Sequence, residues 1–382
     1  MSDTASRRPA LFQKSWYYIT HWESWHWFAK YILIGPAWLW YSLKSGSLWF
    51  FTSSNPTITF GGYIGDTKKE AYDRLPQGTF PVSIFVRPGD SLTEIVRQMD
   101  DKALVFPVAV KPASGLMGFM FRKIESLDQL RQYHHYMPAD YILQELVTYP
   151  LEVSVFYYRF PDKRTGTITG FIKKELLEVV GDGQSTLLQL ILDYPRVQFR
   201  IEEMKSKHAA RLDEVLSKGQ HYCLSYALNL SRGGKLVSLA EQKDDRLLSV
   251  FDYLSHHAGG LYYGRYDIRC ESIESLKAGK NFKILEFNGC GGEPHHVYGD
   301  GNTLFEACRI LLHHWNILYR ISTYNHYHGF PRWKHKEGYP FFKKALRHIL
   351  QLKKLDKDFT FNTSAETNSF QNIPLPQAQS VS

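Results

Sequence analysis

One stretch narrows the possible folds more than any other: LYYGRYDIRCESIESLKAGKNFKILEFNGCGGEP, Leu261 to Pro294. Its two apolar runs, around GRYDIRC and KILEFN, alternate as β-strands do, and successive side chains of a strand point to opposite faces. Arg265, Asp267 and Arg269 are therefore expected on one face of the first run, with Tyr266 and Ile268 on the other. In the second run Ile284, Glu286 and Asn288 are expected to point one way, and Leu285 and Phe287 the other. Two inward-facing acids need a cation, because an uncompensated buried charge is costly.

A chain of 382 residues, 43% hydrophobic and 15% aromatic, can bury a large core around such a pair. Five segments are expected: a tryptophan-rich stretch over 1–60, a short α/β portion over 61–105, a main domain over 106–325, a basic amphipathic segment over 326–358, and a disordered Ser/Thr/Asn/Gln/Pro-rich tail over 359–382. Strands are read at FPVSIFV, FPVAVKP, YILQEL, LEVSVFYYRF, GTITGFIKK and HYCLSYAL. Helices are read at LTEIVRQM behind the Ser91 cap, at STLLQLILDY, at the DEVL segment, from Arg246 to His257 and from Asn302 to Ile321. No internal repeat is visible. Cys223, Cys270, Cys290 and Cys308 are far apart with no CxxC pair, so structural thiols and a reducing, cytoplasmic setting are expected. Lys14, Glu23 and Lys30 interrupt the apolar N-terminal stretch, which does not read as a signal peptide.

A second informative segment is LVFPVAVKPASGLMG. Val108, Ala109 and Val110 read as a buried strand ending on Lys111, with Pro112 stopping the pairing. A lysine there needs an anion nearby. Ser114, Gly115 and Gly118 follow at once, and such small residues let backbone N–H groups approach phosphate oxygens. The order is not that of a Walker A loop, since the lysine precedes the glycines, and a lysine before a glycine turn also occurs as plain structure. A third segment, DYILQELVTYPLEVSVFYYRF, reads as two strands joined at Thr148, Tyr149 and Pro150 with Glu145 and Glu152 at its edges; alone it reads as an ordinary hairpin with exposed acids.

In chain order, the lysine with its small-residue loop, QEL with Glu152 seven residues after Glu145, GRYD and LEFNG resemble the ATP-grasp carboxylate-amine ligases, over roughly residues 60–315. VVGDGQSTLLQLI (Val179 to Ile191) and LNLSRGG (Leu228 to Gly234) are similar to segments of the cyanophycin synthetase type. The resemblance implies an α/β fold in which nucleotide is held between two antiparallel-sheet lobes, here after a short truncated leading portion. It also implies site roles. Lys68, Lys111, Ser114 and Gly115 would meet ATP phosphates, Glu145, Leu146 and Thr148 adenine, and Glu152 the ribose. Asp267, Glu286 and Asn288 would hold magnesium or manganese, with Arg265 at the transferred phosphoryl group. Lys174, or its neighbour Lys173, would be a further phosphate lysine. Asn229, Ser231, Gly234, Gly291 and His295 would lie toward substrate.

Physics bears on the metal separately: two carboxylates and an amide with no Cys or His suit magnesium and not zinc. The implied reaction is amide formation through an acyl phosphate, on small carboxylate and amine substrates and with no nucleic acid. A hydroxyl-phosphorylating kinase and an inactive nucleotide-binding scaffold are the alternatives. The GCGGEPHH loop and the short leading portion depart from D-alanine:D-alanine ligases, so chemistry transfers and substrate does not. The paired histidines, adjacent in sequence, point apart and read mostly as packing or surface residues, His295 and His296 excepted.

Both ends bear on location. Seven of the nine tryptophans lie in the first fifty residues, and residues 331–357 hold nine Lys or Arg against Glu337 and Asp356. The uncharged run Tyr31 to Leu43, 13 residues, is too short to span a bilayer. The helix FFKKALRHILQLKKL suits peripheral contact with an anionic membrane, or else a solvated face on an end packed against the core.

Overall fold

The computed structural model describes Trp22, residues 29–194, Val197, and residues 201–225, 234–299 and 301–361. Helix α1 (Ala29–Ser45) leads through two 3-10 turns to the short α2 (Lys68–Tyr72), whose first turn is closed by a reciprocal Thr67–Glu70 capping box. The first lobe follows: β1 (Ser83–Val86), α3 (Leu92–Asp101), β2 (Val108–Pro112), β3 (Arg122–Ile124), α4 (Leu127–Tyr136) and β4 (Tyr141–Glu145). Ser91 caps α3 as expected, accepting a hydrogen bond from the Glu94 amide. The four strands form an antiparallel sheet in the order β1-β4-β2-β3. Ile95 and Met99 of α3 and Leu130 and Tyr133 of α4 bury against it.

The second lobe contains β5 (Leu151–Tyr158), β6 (Thr167–Glu175), β7 (Leu177–Val180), α5 (Leu187–Asp193), α6 (Ile201–Lys207), β8 (His221–Ser225), β9 (Lys235–Ser238), α7 (Asp245–Ala258), β10 (Tyr263–Cys270), α8 (Ile273–Lys277) and β11 (Phe282–Asn288). Its five-stranded antiparallel sheet runs β11-β10-β5-β6-β9, and β7 and β8 pair separately under α5 and α6. Leu247, Phe251, Leu254 and Ala258 form the inner stripe of α7 at 3.6-residue spacing and cover the large sheet. Full burial of Leu247, Phe251 and Leu254 contributes roughly 1.5–3 kcal/mol each. A short helix α9 (His296–Gly299), the long α10 (Leu304–Tyr327) and α11 (His335–Asp358) complete the chain. Mixed helices and antiparallel sheets in two lobes are the α/β architecture expected from the motifs.

Four readings change. β4 and β5 are not a hairpin: β4 belongs to the first sheet and β5 to the second, so residues 146–150 cross from lobe to lobe. Two adjacent strands with a short connection look alike in sequence whether they pair or part. Pro112 does not end the pairing, but lies in β2 opposite Tyr141. The DEVL segment is not helical; Val215 makes an isolated bridge to Thr186 instead. Strict alternation also breaks in β11, where a bulge against Asp267/Ile268 leaves Leu285 without a register partner. Ile284 and Phe287 therefore sit in the core while Leu285 and Glu286 both face the space between the lobes.

The two ends of the described chain pack against this body. Trp38 and Trp49 join an aromatic cluster with Phe50, Phe51, Phe60 and Tyr63, and α11 presses Ala345, Ile349 and Leu352 inward. Cys290 N donates to Gly61 O and Gly291 N to Gly62 O, both at 3.1 Å, stitching the loop after β11 to the turn before α2. A methyl group on Gly291 would stand 2.2 Å from the Tyr63 carbonyl oxygen, so only glycine permits the approach.

Candidate functional site

Between the sheets lies a cleft of about 430 Å³, within the roughly 300–1,000 Å³ of a small-molecule site. Lys68, Lys111, Gly115, Glu145, Leu146, Glu152, Lys174, Asp267 and Glu286 all line it, although they come from both lobes. Ser114, Asn288 and Gly291 line a smaller pocket that opens beside it and shares Lys68, Gly115 and Glu286. Thr148 is exposed and outside the cleft, where Val147 takes its place. Gly234 is buried just ahead of β9, away from the cleft lining. Asn229 and Ser231 lie outside the described residues.

The acid face comes from β10 and β11. Asp267 and Glu286 are direct cross-strand partners, as are Arg265 and Asn288. Arg265 grips Asp267 with a two-pronged fork, Nε to Oδ1 and Nη2 to Oδ2 at 3.2 Å each, and its Nη1 donates to Glu293 O at 2.8 Å. Asn288 Nδ2 donates to Asp267 Oδ2 at 3.1 Å. Lys174 lies buried between Asp267 at 3.0 Å and Glu152 at 3.2 Å. Burial alone would raise the Asp267 carboxyl pKa; Arg265 and Lys174 overcome it and hold the group far below the usual carboxylate range. The Lys174 ammonium is likewise disfavoured by burial, yet Asp267 and Glu152 lift its pKa above the ordinary lysine value. Lys173 points elsewhere, to Glu175 at 2.9 Å, and of the two neighbours it is Lys174 that lines the cleft.

Lys111 is different. Its ammonium donates to the Leu285 carbonyl at 2.9 Å, the group freed by the β11 bulge, and lies 3.4 Å from the Tyr72 hydroxyl. Among the described residues no carboxylate stands within ion-pair distance of it. Burial, followed by the nearby Lys68 charge, pushes its pKa down to about 7. The expected anion is thus not within ion-pair distance among the described side chains, and the lysine lines the cleft. Lys68, at the start of α2, reaches Glu286 Oε1 at 3.1 Å.

Several contributors escaped the sequence reading. Arg269, noted only for its face, donates from Nη1 to Val147 O at 3.1 Å and to Tyr149 O at 3.4 Å, and from Nε to Glu152 Oε2 at 3.4 Å, tying the interlobe linker to the second sheet. Gln144 is buried on the cleft wall with no hydrogen-bond partner for its amide oxygen among the described residues. Asp66 lines the smaller pocket, where burial, partly offset by Lys68, pushes its carboxyl up to about 6. The glycine loop is braced from outside: His348 Nε2 donates to Ser114 O at 3.0 Å, and Asp356 Oδ1 accepts from Met120 N and Arg122 Nη1 at 2.8 Å each. No local pattern marks these residues, because each acts across a long sequence separation. His295 lies against the acid cluster, where burial and then Arg265 keep its imidazole neutral, well below its ordinary value.

Asp267, Glu286 and Asn288 suit a hard divalent cation that completes its shell with water and phosphate. Among the described residues no group of three or more His, Cys, Asp or Glu side chains is placed to hold a metal ion. Fold and site together define a two-lobed cleft with a cationic wall opposite an acid pair. No family model matches the sequence, and no curated protein does. Similar solved structures include a bifunctional glutathione synthetase from Pasteurella multocida, at 14% identity and TM-score 0.40, over 68% of this chain and 38% of that one. Others are the ATP-grasp ligase PsnB complexed with minimal precursor, at 15% and 0.36 over 65% and 60%, and D-alanine–D-alanine ligase from Bacillus anthracis, at 12% and 0.39 over 69% of each chain.

Proposed function

We propose that this chain is an ATP-dependent carboxylate-amine ligase, working through an acyl phosphate. The observation that carries it is Lys111, a cleft lysine with no carboxylate within ion-pair distance among the described residues, set beside Lys68 and near Asp267 and Glu286. A cationic wall of this kind fits polyphosphate, and an opposing acid pair fits the divalent ion that accompanies it. Asp267, Glu286 and Asn288 would hold magnesium, which when bound supplies charge neutralisation across the terminal phosphates. Lys111 and Lys68 would position those phosphates. Arg265, already locked in orientation by Asp267 and the Glu293 carbonyl, would present its guanidinium to charge building on the transferred phosphoryl group. Gln144 and residues 145–147, which line the cleft, would meet the base, and Glu152 the ribose.

In the first step a substrate carboxylate oxygen bonds to the γ-phosphorus, the bond to the β-bridging oxygen breaks, and ADP leaves. In the second an amine nitrogen bonds to the acyl carbon, the carbon–oxygen bond to phosphate breaks, and inorganic phosphate and a proton are released. A screen of amino acids and dipeptides for stimulated ADP release, with hydroxylamine added, tests the reading. Hydroxamate formation alongside ADP supports the ligase. ADP release with a phosphorylated hydroxyl product and no hydroxamate would establish a kinase instead, and absence of magnesium-dependent nucleotide binding would sink both.

A further inference from the structure

Helix α1 carries two apolar faces, and the fold uses one. Ile34, Trp38 and Tyr41 turn inward: Trp38 meets Trp315 edge-on at 4.9 Å, Tyr41 stacks on Tyr319 at 4.9 Å, and Ile34 packs with Leu311. On the opposite side Ile32, Leu33, Leu39, Trp40 and Leu43, with Leu48 in the following turn, are each 54–77% exposed. Their spacing of three, four and seven residues makes one stripe along the helix, with exposed Pro36 in its middle and no charge from Tyr31 to Leu43. A solvated helix face is ordinarily polar, and a contiguous apolar stripe marks an interaction surface.

Charge says what covers it. Arg332 Nη1 donates to Ser45 O at 2.9 Å and His335 stacks on Trp49 at 6.0 Å, so the start of α11 is anchored where α1 ends. Exposed Lys334, Lys336, Lys343, Lys344 and Arg347 continue from that point, and Glu337 is the only acid between Pro331 and Leu355. A symmetric second copy would bring this cationic rim against itself. An anionic lipid surface is complementary to it. We infer that the outer stripe of α1 seats the protein on an anionic membrane surface, with the exposed cations at the start of α11 as its electrostatic rim. The helix lies in the plane of the interface: at about 1.5 Å per residue its 17 residues reach about 26 Å, short of the roughly 30 Å hydrocarbon core. No helix among the described residues is long and apolar enough to cross a membrane. On α11, which the sequence left as either a lipid-binding element or a solvated face on a packed end, Ala345, Ile349 and Leu352 turn into the protein's own core while Leu346 and Leu350 stay exposed.

Co-sedimentation of the full chain with phosphatidylcholine vesicles, with and without about 30% phosphatidylserine, tests this. Wild type is expected to pellet with the anionic vesicles, less so in high salt. The double substitution Leu39→Glu/Leu43→Glu should weaken that binding at least about tenfold, since it puts two charges on a surface that must enter lipid. Circular dichroism confirms that the variant folds, and Trp40→Gln serves as an independent substitution with the same expected direction. Wild type that stays in solution, stripe variants that pellet like wild type, or a soluble dimer that the stripe variants dissociate would each overturn the inference.

Discussion

Binding of a nucleotide should draw a proton from solution, by an amount set by Lys111. In the free cleft its ammonium titrates at about 7, because burial and Lys68 oppose its charge. A phosphate group against it would restore a value near the ordinary 10.4 or so. At pH 8 the free lysine is then roughly 90% neutral, and binding takes up about 0.9 proton; at pH 6 the uptake is about 0.1. Since the charged form binds, affinity should fall roughly 16-fold between pH 7 and 8.5. The terminal phosphate, with its second pKa near 6, is by then ionised and contributes little. The assay is calorimetry of Mg·ATP binding in MOPS and Tris at each pH, where the dependence of heat on buffer ionisation enthalpy counts protons. Lys111→Met should abolish the uptake. A buffer-independent heat at pH 8, or the same uptake in the variant, would refute the assignment of Lys111 to the phosphates. Without ligand the sign is also defined: the unfolded lysine holds its proton to higher pH than the folded one, so this group's contribution to stability rises as pH climbs from 7 toward 10.

Asp267→Asn and Glu286→Gln should both abolish turnover, but Asp267→Asn should also destabilise the fold by about 2–3 kcal/mol in chemical denaturation, because it strips buried Arg265 and Lys174 of an anion; Glu286, more exposed, costs less. The same carboxylate, whose folded pKa lies far below its unfolded value near 3.9, should support stability above about pH 4 and withdraw that support progressively under acid. Arg269→Ala removes the hydrogen bonds that pin residues 146–150, and should raise the nucleotide dissociation constant about tenfold while speeding amide exchange in that linker; unchanged exchange would show that the linker is held by other contacts. Gly291→Ala forces a methyl group onto the Tyr63 carbonyl and should cost about 1–3 kcal/mol of stability, read as a lowered melting temperature.

Local signals carried far. The Ser91 cap starts α3 as the sequence reads it, and Thr186, Asp244 and Thr303 cap helices that begin at Leu187, Asp245 and Leu304, close to the expected starts, because a side-chain oxygen and a backbone amide three residues on are neighbours whatever the rest of the chain does. The α10 helix nevertheless runs on to Tyr327, past the expected Ile321, since its last two turns bury Ser322 and Asn325 under the aromatic cluster. Alternation correctly put Arg265 and Asp267 side by side and failed at Leu285, where a bulge serves Lys111 and Tyr72.

From the sequence alone one obtains the kinds of elements, the order of the motifs and the charges that a cleft would have to reconcile, since periodicity and capping depend on neighbours a few residues away. Only the tertiary structure decided that β4 and β5 part into different lobes, that Lys174 is paired with two carboxylates while Lys111 has none within ion-pair distance among the described residues, and that α11 turns Ala345, Ile349 and Leu352 inward while α1 keeps an apolar stripe outward. Those outcomes depend on which distant surfaces meet and exclude water, and no local pattern encodes that.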